Sequence, residues 1–311
     1  MGNHRGGYDA FSFDITNALK NEGDQTITLS VWDPTDTAEQ PRGKQVLDPH
    51  GIWYTAVSGI WQTVWLEPVE KEKGYIKSLK LTPDLDKNTI SINANLSGSS
   101  AKVRLKVTAM EGDKEVGVFT GLAANDIVLT LKNPRLWSPQ NPFLYDLTIV
   151  LLYEGEIIDG VKSYFGMRDI SLGKDKNGLT RIMLNNEFVF QFGLLDQGWW
   201  PDGLYTAPTD VALKYDIEMT KKLGFNMARK HVKIEPARWY YWCDKLGLLV
   251  WQDMPSAGDY IGPEDPDLTR SKESADIYET EFIQMIEQHR NHPSVIYHLF
   301  LYSIVKYFWI R

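Results

Sequence analysis

Apolar positions along the chain change their pattern twice, first in run length and then in period. Up to about Glu70 they alternate in short runs. AFSFDI sets Phe11, Phe13 and Ile15 on one face, TITLSVW does the same with Ile27, Leu29 and Val31, and QTVWLEPV closes the stretch. Gly and Pro punctuate these runs, so the region predicts an antiparallel sandwich, with fewer strands than a complete one needs. Its abrupt start at Met1 gives the expectation that further strands precede it.

From about Lys71 to Leu172 the period stays at two and the runs lengthen. IKSLKL, TISINANL, KVRLKVTAM, IVLTL, YDLTIVLLY and VKSYFG read as strands separated by turn residues. About seven strands in roughly 100 residues is the size of an immunoglobulin-like sandwich. The connector KNPRLWSPQNPFLY is Pro-rich and reads as extended.

After Gly173 the period becomes 3.6. EFVFQF reads as a short buried strand, and TDVALKYDIEMTKKLG as a helix capped by Thr209 or Asp210, with Ala212, Tyr215, Met219 and Leu223 on one face and Gly224 as its stop. FNMARKH is the next strand. EPARWYYWCDKLG is a helix with Pro236 near its start and Gly247 past its end, and LLVWQDMP is a third strand. A helix from about Ser271 to Arg290 carries Tyr278, Phe282, Met285, Ile286 and His289 on one stripe, and SVIYHLF is a fourth strand. Strand and helix alternate, which predicts parallel strands and the first half of a (β/α)8 TIM barrel. The expected domains are therefore 1–70, 71–172 and 173–311.

In such a barrel, chemistry sits where strands run into the loops that follow them. That rule selects Asp196, Gln197, Trp199, Trp200 and Asp202 after the first strand, Arg229, Lys230 and His231 after the second, and Gln252 and Asp253 after the third, converging on one rim.

Composition narrows the partners. A net charge of -8 repels a phosphate backbone, and no stripe of Lys and Arg offsets it, which argues against nucleic acid. No apolar run reaches the roughly 18–20 residues that span a bilayer, so no membrane partner is expected. The single cysteine, Cys243, sits in a helical run as a buried thiol and excludes an internal disulfide. MGNHRGGYDAF contains no secretion leader, which leaves compartment open if the start is trimmed. Aromatics at 12% of residues suit the apolar faces of sugar rings, although large rings also fill cores. No His pair at i, i+4 flanks a Glu on a helix, and no Gly-rich phosphate loop or nucleophile elbow is present, so neither metal nor cofactor is expected. The acidic run Gly262 to Ser271 has no calcium-cage spacing and reads as a solvated loop.

The stretches GNHRGGYDAFSFDIT, GIWYTAVSGIWQTVWLEPV, GLLDQGWWPDGLYTAPTD, GFNMARKHVKIEPARWYYWCDKLGLLVWQDMPS and HRNHPSVI together resemble glycoside hydrolase family 2, the β-galactosidase and β-glucuronidase family. The resemblance runs from about Gly2 to Ile296. It implies a jelly-roll sugar-binding domain, here partial, then an immunoglobulin-like domain and a barrel that hydrolyses terminal β-linked sugars with retention. Retention needs two carboxyl groups about 5–5.5 Å apart. By the family's spacing, the Asn-Glu pair holding the acid/base falls on Tyr302 and Ser303, and the nucleophile falls beyond Arg311. YHLFLYSIVKYFWIR has neither Asp nor Glu. The expectation is a chain truncated at both ends, ending in a frameshift or mispredicted gene end, and inactive as it stands. The alternative is a non-catalytic carbohydrate-binding or structural remnant.

The resemblance places Arg229 in the sugar pocket, although Arg229 also suits a structural pairing with Asp253. His231 is open between the two roles, and Asp253 either orients Arg229 or touches a hydroxyl. Asp196, Trp200 and Asp202 form a loop with a Trp wall, or a tight turn whose aspartates cap amides. His4, Arg5 and His292 read as structural.

Overall fold

The computed structural model describes residues 1–98, 102–123, 127–258, 266 and 270–299. The N-terminal 70 residues carry far less sheet than their alternation predicts. Their strands are β1 (Gln45–Val46) and β2 (Tyr54–Thr55), paired in parallel. AFSFDI, TITLSVW and QTVWLEPV form no strand, and Phe11, Phe13, Ile27, Leu29, Val31 and Val64 stay exposed. Alternation gives a strand an apolar face, but its N–H and C=O groups still need a ladder partner, and these segments find none among the described residues.

The next region is a two-layered sandwich. Among the described residues it has seven strands: β3 (Tyr75–Asp84), β4 (Thr89–Ser97), β5 (Val103–Glu111), β6 (Lys114–Leu122), β7 (Ile127–Thr130), β8 (Tyr145–Tyr153) and β9 (Glu156–Phe165). They form antiparallel sheets of order β3-β4-β7 and β6-β5-β8-β9. Register puts Leu105 opposite Leu151, Val107 opposite Ile149 and Ala109 opposite Leu147, all buried, so the two central strands face the core with matched side chains. Strand β6 is not legible in the sequence, because Gly117 and Gly121 interrupt it and Val118 and Leu122 are exposed.

The Pro-rich connector is more than a spacer. Trp137 is fully buried and donates its indole N–H to the Asp244 carbonyl at 2.8 Å, pinning the sandwich to the helical half of the chain. A small antiparallel meander comes next: β10 (Ile170–Lys174), β11 (Thr180–Leu184) and β12 (Glu187–Phe188). EFVFQF therefore starts as an exposed meander strand rather than a buried barrel strand, with Phe188, Phe190 and Phe192 open to solvent.

The parallel sheet runs β13 (Gly193–Asp196), β14 (Met227–Lys230), β15 (Leu249–Asp253) and β16 (Val295–Leu299), in that spatial order. A Cβ on Gly193 would lie 1.8 Å from the Met227 carbonyl oxygen, so this strand pair requires glycine there. Helices α1 (Asp210–Lys222), α2 (Ala237–Leu246) and α3 (Lys272–His289) alternate with the strands. Thr209 caps α1 through its hydroxyl to the Ala212 N–H at 3.1 Å, and Ser271 caps α3 the same way. Gly247 ends α2 at φ +77°. The buried stripe of α1 is Leu213 and Ile217, packed on Ala228, Trp239, Tyr240 and Cys243. This stripe is offset from the predicted face: Tyr215 and Leu223 are exposed, because α1 docks against α2 through the neighbouring stripe.

The N-terminal region docks on this half. Tyr8, Tyr54, Val57 and Trp61 pack with Tyr205, Ile234, Met254, Tyr278 and Met285. The N–H groups of Arg42 and Gly43 both donate to the Ser256 carbonyl, at 2.9 and 3.0 Å. Among the described residues no helix is long and apolar enough to cross a membrane.

Candidate functional site

Side chains alternate along a strand, and that alternation divides the expected rim into two clusters on opposite faces of the sheet. Arg229 and His231 lie on one face with Asp253 of β15. Lys230 and Gln252 lie on the other, towards α2, where Lys230 sits 4.2 Å over the Trp239 ring and Gln252 accepts from the Tyr240 hydroxyl. Register places Asp196 beside Lys230, so Asp196 joins the helix-facing cluster.

The first cluster is organised by Asp253, whose side chain is fully buried. Its two oxygens accept from Arg229 Nε at 2.9 and 3.0 Å, and one of them accepts from His231 Nδ1 at 2.7 Å. A carboxylate can only accept, so Nδ1 carries the proton and Nε2 is the ring atom left for a ligand. Arg229 commits Nε to Asp253, and among the described residues its two terminal nitrogens have no partner. The pairing with Asp253 that the sequence offered for Arg229 is formed, and it leaves the outer end of the guanidinium available.

The second cluster is a chain of four charges. Asp196 pairs with Lys230 at 2.7 Å, Lys230 with Glu235 at 3.0 Å, and Glu235 with Lys233 at 3.1 Å. Lys230, Lys233 and Glu235 are at most 2% exposed, whereas Asp196 is 31% exposed. Two cations and two anions balance, which makes burial tolerable. Burial works against the Lys230 ammonium, but Asp196 and Glu235 overcome it and lift its pKa. Burial likewise opposes the Asp196 carboxylate, and Lys230 with the Gly198 N–H outweighs it, so Asp196 stays ionised below the usual range. For Lys233 burial exceeds the help from Glu235, and its pKa falls.

Lys233 clamps the loop after β13 at both ends, donating to the carbonyls of Gly198 at 2.6 Å and Tyr205 at 2.8 Å. Asp196 caps the Gly198 N–H at 2.8 Å, the turn contact the sequence offered for it. Trp200 packs into the helix cluster with Leu213 and Trp239, while Trp199 lies 4.3 Å from the Tyr54 ring. Asp202 is exposed at the turn and meets none of the other candidates. Lys233 and Glu235 escape a reading of the sequence: in VKIEP they alternate with Val232 and Ile234, the pattern of a solvent-facing edge. A Val232 φ of +51° turns the chain so that they face inward instead.

Among the described residues no group of three His, Cys, Asp or Glu side chains could hold a metal ion. Tyr302 and Ser303, and most of the acidic run from Gly262, lie outside the described residues.

A β-sandwich feeding a parallel β/α sheet, with a buried carboxylate holding Arg and His at the strand ends, is the architecture of a multidomain chain that leads into a (β/α)8 barrel. The chain belongs to glycoside hydrolase family 2: the profile of Glycosyl hydrolases family 2 matches residues 74–168, and that of its TIM barrel domain matches residues 207–300. A provisionally named β-glucuronidase of Formosa agariphila is 30% identical over 95% of this chain and 34% of its own length. A β-galactosidase of Thermoanaerobacter pseudethanolicus is 27% identical over 95% of this chain and 38% of its own. The chain thus spans about a third of the length of these relatives. The structure of a Ruminococcus gnavus β-glucuronidase in complex with D-glucuronic acid superposes with a TM-score of 0.62 at 20% identity, over 75% of this chain and 37% of that one.

Proposed function

We propose that the Arg229–His231–Asp253 cluster binds a terminal β-linked sugar, a galactoside or glucuronide, as part of the pocket of a retaining β-glycosidase. The arrangement of Arg229 carries this reading: Asp253 fixes the guanidinium through Nε and holds His231 through Nδ1, which leaves the outer guanidinium nitrogens and His231 Nε2 for a ligand where parallel strands enter their loops. Two donors and an acceptor on side chains that share one carboxylate suit ring hydroxyls. Asp253 positions both residues, and Asp196 serves the loop rather than the sugar.

Hydrolysis needs two carboxyl groups flanking the bond. Residues 297–311 contain no Asp or Glu, and Ser303 stands at the expected acid/base position, which favours binding without turnover in this chain. The test has two arms. Methyl β-D-galactopyranoside or methyl β-D-glucuronide binds the wild-type chain, and Arg229→Met weakens binding at least tenfold. Aryl β-galactoside and β-glucuronide release no nitrophenol above a protein-free control. Binding unaffected by Arg229→Met overturns the site, and turnover overturns the inactive reading.

A further inference from the structure

Away from the strand ends, the segment His4–Asp9 lies along α3 and brings two carboxyl groups together across a glycine. A Cβ on Gly6 would lie 2.3 Å from Asp9 Oδ1 and 3.2 Å from the Glu281 carboxyl carbon. Glu281 is buried, and neither of its oxygens has a side-chain partner. An ionised carboxylate in such a place would be desolvated and beside a second anion, which is costly unless the group keeps its proton.

The surrounding charges do not relieve it. On the docked segment, His4 Nε2 lies 3.2 Å from Asp9 Oδ1, and Arg5 reaches out to Glu273 rather than Glu281. On and beside α3, Arg270 donates to Ala257 and Ser274, and Tyr278 and Met285 flank Glu281 one turn away on either side. Tyr8 shares a hydrogen bond with Tyr205 at 3.0 Å and receives one from Gln45. No lysine or arginine is seen to pair with Glu281 among the described residues.

We propose that Glu281 and Asp9 form a proton-operated latch: protonated Glu281 lets His4–Asp9 dock on α3, and loss of that proton sets two carboxylates against each other and releases the segment. Burial, then Asp9, raises the Glu281 pKa from 4.5 to about 8, outweighing the backbone N–H of Gly7, which lowers it. The native state therefore holds the proton where the undocked state has lost it, so docking weakens as pH rises from 4.5 through about 8. Release reaches further than the segment. Trp61 donates to the Gly7 carbonyl at 2.9 Å, and Tyr8 contacts Tyr205, whose carbonyl holds Lys233, so the latch is coupled to the clamp on the loop after β13. This inference is independent of any sugar.

Amide exchange of Gly7 to Asp9 in the full chain, corrected for base catalysis, tests it between pH 6 and 10. Wild-type protection is expected to fall at least tenfold between pH 6 and 8 and to level off above about pH 8, Glu281→Gln to hold its protection throughout, and Asp9→Asn to level off at lower pH. A flat wild-type profile overturns the latch, and so does a transition that survives in Glu281→Gln. Should Glu281→Gln not fold, the wild-type profile and the direction of the Asp9→Asn shift decide.

Discussion

Tyr164, on the last strand of the sandwich, donates its hydroxyl to the buried carboxylate of Asp244 on α2 at 2.8 Å. The same carboxylate accepts from His292 Nδ1 at 2.6 Å and the Ser294 N–H at 2.9 Å, so one side chain joins three elements. Burial and the adjacent Asp244 keep the Tyr164 phenol far above its ordinary pKa, hence a permanent donor. Asp244→Ala strands three donors and is expected to cost about 3–5 kcal/mol, against about 1–2 kcal/mol for Tyr164→Phe. Urea unfolding of both variants checks the ranking.

Gly198→Ala is expected to be destructive for two separable reasons. Its φ of +62° disfavours any side chain, and the added methyl would lie 2.0 Å from Glu235 Oε1 and 2.9 Å from Lys233 Nζ. Gly178, at φ +77° with nothing within 4 Å, shares the first reason alone. Gly178→Ala should cost about 1 kcal/mol and Gly198→Ala at least twice that, read from denaturation midpoints.

Acid stability should be limited by two histidines, His289 buried and His298 half-buried. Burial, then the neighbouring His292, lowers the His289 pKa to about 3, and burial, then Arg168, lowers that of His298 to about 4, from 6.5. Both stay neutral in the fold and charge on unfolding. Each therefore contributes stability that is present above pH 6.5 and is lost, by about 1.4 kcal/mol per pH unit, as pH falls towards the folded pKa. His289→Gln should flatten the profile between pH 6.5 and 4, measured by thermal melts.

Cys243 is buried in α2, and burial, with Asp244 nearby, raises its thiol pKa well above the ordinary value. Thiol reagents should leave it untouched in the native chain and label it at the rate of unfolding, so labelling rates should track urea concentration.

The sandwich is legible because period-two alternation in VRLKVTA and YDLTIVLLY fixes both the strand and its buried face. The parallel sheet is legible from its caps and stops at Thr209, Gly224 and Gly247. Pattern alone misjudges Ile27, Leu29 and Val31, since alternation specifies a face and not a partner. The site is half legible. Arg229 and Asp253 can be paired from their strand-end positions, but the face occupied by Asp196 depends on register. The inward turn of Lys233 and Glu235 depends on a left-handed Val232, which no local preference of a β-branched residue announces.

The clasp between Arg42, Gly43 and Ser256 joins backbone 213 residues apart in sequence. A contact of such separation pays nearly the whole loop-closure entropy of the chain before it returns anything, so it forms after the local hairpins and helices. The backbone around Ser256, on which it rests, is therefore among the last parts to order and the first to open. Proteolysis under mild destabilisation should start beside Ser256, while the sandwich core around Val107 and Ile149 is still intact.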